Sequence, residues 1–506
     1  MEDGGALTAR EGGQGAGEAP QRMPEGSRRV DASGIVSWSA MELSRAVAGR
    51  EVTCTEVMRA YLEHIERVNP HVCAIVGAQA PELSLEQARE RDRELERGES
   101  RGWMHGFPYA VKDLAEARGL PWTEGSPLHR DRVAERDAPF VRRVRDAGAV
   151  VIGKTNTPEF GLGSQTYNQV WGTTGNAYDP ALTAGGSSGG AACALALRML
   201  PVADGSDYMG SLRNPAAFNN VLGLRPSQGR VPGPGFTGQP GVAGPMARTV
   251  TDLAWLLSVM AGPHEESPTA FPESGERFRE PLERDFRGTR VAWVGDWRGR
   301  LATEPGVLEV CRSALSVFEA LGCEVTDAVP DFPADELWRT FLTWRWWAAL
   351  DRYGLYADPA ARERMKPEAV WETERGLALS ALDVAEAAAS RDRWYAALAE
   401  FFRDYDYVLA PAAQVFPFAK ETRWPEVVGG RRMDTYHRWM ETVVPWSLVG
   451  VPVIGMPAGF GRQGLPAGLQ LVGRPRADFE VLQLAYAYEQ STNWVERRTP
   501  APAAAG

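Results

Sequence analysis

The chain has 506 residues, 44% apolar and 24% charged, the composition of a globular protein with a sizeable buried core, which excludes wholesale disorder. Lys and Arg total 55 against 66 Asp and Glu, a formal net charge of −11, so no strong basic field exists to hold a nucleic acid or an anionic membrane surface. Five scattered cysteines (Cys54, Cys73, Cys193, Cys311, Cys323), never spaced C-x-x-C, argue against a disulfide framework or a zinc knot and fit a reducing compartment.

Residues 1–30 are rich in Gly, Glu and Arg and lack the apolar stretch of a secretory signal, and no later run approaches the ~18 apolar residues of a membrane span. The expectation is a cytoplasmic protein with a disordered head. Ordered patterning begins near Val36. Ser39 with Glu42, and Thr53 with Glu56, each match the S/T-x-x-E capping box, predicting helices over roughly 40–48 and 54–68, the second stopping before Pro70. From about 107, short β-like runs at 109–111 and 149–152 alternate with helical stretches such as 137–147, which favours an α/β architecture with a mixed or parallel sheet. A Gly/Ser/Thr-rich tract covers 161–190, longer than loops tend to be unless functional or disordered, and 191–200 is apolar almost all round, as in a helix buried in a large core.

Residues 263–289 are polar and Pro-rich and predict a surface connection. A strand at 290–295, a helix at 306–321 and a strand at 323–326 then form a βαβ-like unit without G-x-G-x-x-G, so no nucleotide site is assigned. The stretch 335–405 is helical, strand character returns at 408–411 and 451–456, and a helix at 478–490 closes the pattern. No internal repeat is present.

Three places could carry chemistry: Tyr109-Ala-Val-Lys112-Asp113, Gly185-Gly-Ser187-Ser188-Gly-Gly190, and Asp207-Tyr-Met-Gly-Ser211-Leu-Arg213-Asn-Pro215. Each alone is uninformative: a strand-end lysine is a solvated charge, a Gly/Ser tract a flexible loop, and Ser211 a turn or cap residue. Their combination resembles the amidase signature family of serine hydrolases. The lysine, the first glycine-rich serine and the nucleophilic serine fall in the family's order, with steps of 75 positions from Lys112 to Ser187 and 24 from Ser187 to Ser211. The similarity extends from the helices of Ser39 to Ala74 to the strand motif Gly464-Leu-Pro-Ala-Gly-Leu-Gln-Leu-Val-Gly473, covering roughly residues 35–490.

Amide cleavage needs a nucleophile, a base to take the hydroxyl proton and an acid for a poor leaving amine. None of the six histidines lies in the three motifs, and lysine serves as a base only when burial depresses its pKa toward neutrality. The resemblance implies Ser211 as nucleophile, Lys112 as buried neutral base and Ser187 as relay on a cis peptide, with Gly186 relieving the local crowding. Ser188 orients Lys112 or Ser187, or is a plain turn hydroxyl. The backbone amides of Tyr208, Met209, Gly210 and Ser211 correspond to the family's oxyanion hole. The family usually writes Gly-Gly-Ser there, so Tyr208-Met209-Gly210-Ser211 predicts a changed loop shape and pocket. Asp207 and Arg213 are expected to pair structurally across the turn, and Arg225 is also assigned to structure.

The resemblance further implies a single large amidase-signature domain over 34–495: N-terminal helices 38–70, a catalytic core 105–260, a helical substrate-pocket region about 330–440, and a C-terminal strand and helix 450–490, flanked by a disordered tail 1–33 and a flexible tail 496–506. Its central mixed β-sheet would be covered by helices on both faces. Trp338, Phe341, Leu342, Trp344, Trp346 and Trp347 lie in the pocket region, where they form either core or an aromatic wall. The expected activity is hydrolysis of aryl or hydrophobic amides, and of carbamates, which offer the same tetrahedral path. No cofactor and no metal are expected, nor a nucleic acid or membrane partner, and the chain would act as a monomer or homodimer on a small molecule. Dianionic substrates are not expected, since the acidic balance offers no obvious pair of pocket cations. Two alternatives stand: an α/β-hydrolase-type esterase using Ser187, because Gly185-Gly-Ser187-Ser-Gly189 satisfies G-x-S-x-G, and the glutaminase-type subunit of a tRNA-dependent amidotransferase.

Overall fold

The computed structural model describes residues 32–233, 235 and 239–501. Of the two expected tails, 1–31 and 502–506 lie outside the described residues, which open with helix Ala32–Ser37 and include a short helix Trp494–Arg497 near their end. Both capping boxes form. Ser39 and Thr53 accept the amides of Glu42 and Glu56, whose carboxylates accept the cap amides in return, and helices Ala40–Ala48 and Cys54–Val68 follow. Helix Pro81–Glu96 has no counterpart in the sequence pattern: it buries only Ser84, Ala88 and Glu94, too thin a stripe to announce a helix.

An eight-stranded sheet runs in the order Glu324–Asp327, Arg290–Trp293, Tyr407–Pro411, Pro466–Gly473, Val453–Phe460, Leu222–Arg225, Val242–Ala247, Val202–Asp207. The first three strands are mutually parallel and every later pairing is antiparallel, so the sheet is mixed. Side chains alternate between its faces. Tyr407 and Leu409 enter one core with helices Cys54–Val68, Gly189–Ala196, Val250–Met260 and Asp478–Thr492, while Val408 and Ala410 enter a second with Ala334–Ala349 and Ala381–Asp404. Helices therefore cover both faces, as expected.

Two stretches depart from the expected pattern. Residues 263–289 are not a free surface connection, because Phe278, Leu282 and Phe286 are buried in the first core. The helix expected over 306–321 breaks at Ala314 into Val307–Ser313 and Leu315–Ala320. Helix Gly189–Ala196 is buried along its whole length, and the chain leaves it at Leu197, where Arg198 turns with φ of 59° toward strand Val202–Asp207.

A smaller sheet aligns Ile75–Val76, Val150–Thr155 and Pro108–Lys112, the last two parallel. Its strand Pro108–Lys112 meets the outermost strand of the large sheet, where the Lys112 backbone N–H donates to the Asp204 carboxylate at 3.2 Å. That junction fixes where the Lys112 side chain emerges.

Candidate active site

The Lys112 amine is buried, the residue being 1% exposed, and Nζ lies within hydrogen-bond distance of Ser187 Oγ at 2.8 Å, Ser188 Oγ at 2.8 Å and Ser206 Oγ at 3.0 Å. No carboxylate pairs with Nζ among the described residues. Burial lowers the lysine pKa to about 7, although Asp204 and Asp207 favour its charged form. Asp204 is itself raised to about 6 by burial, against the Lys112 amide and nearby lysines. Ser206 escaped the motif reading. Residues 204 and 206 share one side of strand Val202–Asp207, and the structure brings both to Lys112.

Ser187 and Ser188 sit on a loop closing onto helix Gly189–Ala196, whose positive end begins at the serines. The Gly186–Ser187 peptide is cis. Gly185 adopts a φ of 73°, and a side chain there would meet Asn214 Oδ1 at 2.6 Å, so only glycine fits.

Ser211 lies between strand Val202–Asp207 and helix Arg213–Asn219, in a turn organised around Asp207. The fully buried Asp207 carboxylate accepts from Arg213 Nε at 3.0 Å and Nη2 at 2.9 Å, and from the amides of Gly210 at 2.9 Å and Leu212 at 3.1 Å. Arg225 Nη1 donates to the Asp207 carbonyl at 2.5 Å. Burial opposes ionisation, yet Arg213 and Arg225 hold Asp207 well below the usual carboxylate range. All three residues thus shape the turn from behind, the structural role expected for them. The left-handed backbone is confined to Gly210, with φ of 81°, and Met209 is not among the positive-φ residues. The expected change in loop shape is therefore not carried by Met209, which alters the pocket wall and leaves the backbone conformation to Gly210. Gly210 also departs from its expected place in the oxyanion set, because its amide is committed to Asp207. Among the described residues the amides of Tyr208, Met209 and Ser211 have no acceptor.

Ser187, Ser206 and Ser211 line one cavity of about 260 Å³. The expected Ser187–Ser211 hydrogen bond is not formed among the described residues: Ser187 is joined to Lys112 and not to Ser211. Leu114, Phe160, Leu162, Tyr208 and Met209 supply apolar wall.

The tryptophans do not line the cavity: Trp338 and Trp344 are buried in the second core, and helix Ala334–Ala349 presents Arg345 and Ala348 instead. With Arg352 also on the wall, the expected absence of a pair of pocket cations is overturned. Net charge is a property of the whole chain and does not constrain two side chains brought together by packing. His437 lines the cavity as well, outside every sequence motif, and burial pushes its pKa well below the ordinary value. The α/β-hydrolase alternative fails here: Ser187 follows no strand, and its hydroxyl is engaged by Lys112. Among the described residues no group of three or more His, Cys, Asp or Glu is placed to hold a metal ion, and no helix is long and apolar enough to cross a membrane.

The Amidase family model matches residues 56–482. An acylamidase of Rhodococcus erythropolis is 34% identical to this chain, over 91% of it and 96% of that protein. A glutamyl-tRNA(Gln) amidotransferase subunit of Thermosynechococcus vestitus is 31% identical, over 90% of this chain and 98% of its own. In three dimensions the chain is similar to a bacterial aryl acylamidase belonging to the amidase signature enzymes, with a TM-score of 0.84 and 25% identity over 91% of this chain and 97% of that one.

Proposed function

The chain belongs to the Amidase family, as an amidase signature hydrolase, and we propose that it cleaves amides through an acyl-enzyme on Ser211, with Ser187 as proton relay and Lys112 as neutral base. The observation that carries this reading is a buried lysine amine surrounded by hydroxyls and free of any carboxylate partner among the described residues. Such an amine is stable when uncharged, and an uncharged amine has a lone pair to accept a proton.

As Ser211 Oγ attacks the carbonyl carbon, its proton passes to Ser187 Oγ while the Ser187 proton passes to Lys112 Nζ. The carbonyl oxygen becomes an oxyanion, to which the Tyr208, Met209 and Ser211 amides donate. Collapse breaks the C–N bond, and the proton returns along the same path to the departing nitrogen. Water then repeats the sequence on the acyl ester, releasing the acid and restoring Ser211. Ser188 and Ser206 hold the amine on line with Ser187.

The substrates we assign are small aryl or hydrophobic amides, with aryl carbamates following the same path through a carbamoyl ester. Support comes from the apolar wall formed by Leu114, Phe160, Leu162, Tyr208 and Met209, from a cavity just under the ~300–1,000 Å³ of ligand pockets, and from the likeness to acylamidases. The chain is taken to work alone, as a monomer or homodimer, in the reducing cytoplasm. A glutaminase-type subunit is the second reading, favoured by the 31% identity to an amidotransferase chain. A panel of nitroanilide amides, aryl carbamates and aryl esters, assayed with the purified chain and its Ser211→Ala variant, separates the two. Turnover of anilides by the single chain, lost in the variant, is the expected result. Release of ammonia from glutamine with no anilide turnover would favour the second reading, and undiminished turnover by Ser211→Ala would remove the proposed nucleophile.

A further inference from the structure

The cavity wall of Arg345, Arg352 and His437 is built around one buried carboxylate. Glu372 is fully buried, and its Oε1 accepts from Arg345 Nε at 2.7 Å and from the Tyr436 hydroxyl at 2.5 Å. Arg352 Nη2 stands 3.6 Å from Oε2, an ion-pair separation too long for a hydrogen bond, and His437 Nε2 stands 3.9 Å from Oε1. Glu372 thus anchors Arg345 tightly and orients Arg352 and His437 without saturating them.

Three polar atoms of this group are buried and without a hydrogen-bond partner among the described residues: Arg352 Nε, His437 Nε2 and Glu372 Oε2. His437 Nδ1 lies 2.8 Å from Thr435 Oγ1; with that hydroxyl donating, the ring proton is on Nε2, which makes His437 Nε2 a donor alongside Arg352 Nε. Buried polar groups in folded proteins are almost always paired, so unpaired polar atoms on Arg352, His437 and Glu372 show that the protein itself does not saturate this group beside the cavity. The charges agree. Two guanidinium groups face a single buried carboxylate, and Asp351, the acid among the residues lining the cavity, is exposed to water, which screens it.

We propose that Arg352 and His437, oriented by Glu372 beside Arg345, form a subsite for an oxyanionic group of the substrate, so that the enzyme prefers amides bearing a carboxylate over matched neutral amides. Arginine suits the task because its fork presents parallel donors to the two oxygens of a carboxylate, and the histidine adds a neutral donor with no charge to desolvate. The aromatic wall takes the remainder of the substrate, with Phe160 facing the Arg352 guanidinium 5.6 Å from its ring centre. This subsite rests on the serine amidase reading and specifies the substrate class for it.

Two matched pairs test it: succinyl against butyryl 4-nitroanilide, which places the carboxylate on the acyl side, and N-acetyl-4-aminobenzoate against N-acetyl-4-toluidine, which places it on the amine side. In at least one pair the carboxylate member should have a kcat/KM ten or more times that of its neutral partner. In Arg352→Gln that ratio should collapse to about one, and Arg352→Lys, which keeps the charge without the fork, should restore part of it. The ratio is read within each variant, so a general loss of activity does not imitate the effect, and the wild-type ratio needs no variant to fold. No preference in either wild-type pair, or a preference that survives Arg352→Gln, would overturn the subsite while leaving the serine mechanism standing if Ser211→Ala remains inactive on all four compounds. Undiminished turnover by Ser211→Ala would instead overturn the serine reading and this subsite's place in it.

Discussion

Replacing Lys112 by methionine keeps most of the side-chain volume and removes the buried amine. The amine is lowered to about 7 from its ordinary 10.5, a gap that corresponds to about 5 kcal/mol of preference for the uncharged form in the folded site. The sign follows from proton counting. Between pH 7 and pH 10 the unfolded chain holds one proton on this lysine that the folded chain has released, so folding stability rises by ~1.36 kcal/mol per pH unit across that window. Below pH 7 both states carry the proton and the contribution is flat. Integrating from pH 7 to pH 9, with half the folded molecules still protonated at the start, gives about 2 kcal/mol of added stability in the wild type. Every other titrating group is shared with Lys112→Met, so the wild-type gain between the two pH values, minus the variant's gain, isolates this lysine. Urea unfolding at pH 7 and pH 9 supplies both numbers. Activity offers a parallel readout: kcat/KM should rise tenfold per pH unit below 7 and level off above about 8, and the variant should lose on the order of 10²–10⁴-fold. Equal pH dependence of stability in the two proteins, together with an activity limb centred above pH 9, would show that the folded lysine is charged and refute the reasoning.

Two further outcomes follow from the same geometry. Asp207→Asn leaves the buried guanidinium groups of Arg213 and Arg225 facing a neutral amide, so it should cost about 3–5 kcal/mol in urea unfolding; a loss under 1 kcal/mol would mean the pair does not brace the turn. Ser187→Ala should lower kcat/KM on anilides by at least about 100-fold with little change in melting temperature, and a loss under tenfold would mean that water replaces the relay.

Much of this was written locally in the chain. The capping boxes at Ser39 and Thr53 define helix starts through hydrogen bonds three residues apart, which is why both starts could be read from the sequence. The spacing of Lys112, Ser187 and Ser211 carried the family resemblance, and the structure brings Lys112 and Ser187 into contact while opening Ser187 and Ser211 onto one cavity. What escaped depends on packing between distant segments. Helix Pro81–Glu96 is charged on most of its surface and leaves no apolar stripe to recognise. The tryptophan-rich helix could be placed, but which of its residues faced the substrate was decided by how it docks on the second core, and that rotation exposed Arg345 to the cavity in place of Trp344. Arg352 and His437 reach the same wall from separate segments, a conjunction no local pattern records.

Covalent capture with a fluorophosphonate, an electrophile that phosphonylates activated serines, tests the assignment of the nucleophile and its base most directly. Peptide mass spectrometry of the labelled enzyme should find one adduct, on Ser211, formed at a rate that climbs through pH 7 and falls sharply in Lys112→Met. An adduct on Ser187, or labelling of Ser211 at the same rate with and without the lysine, would contradict the account.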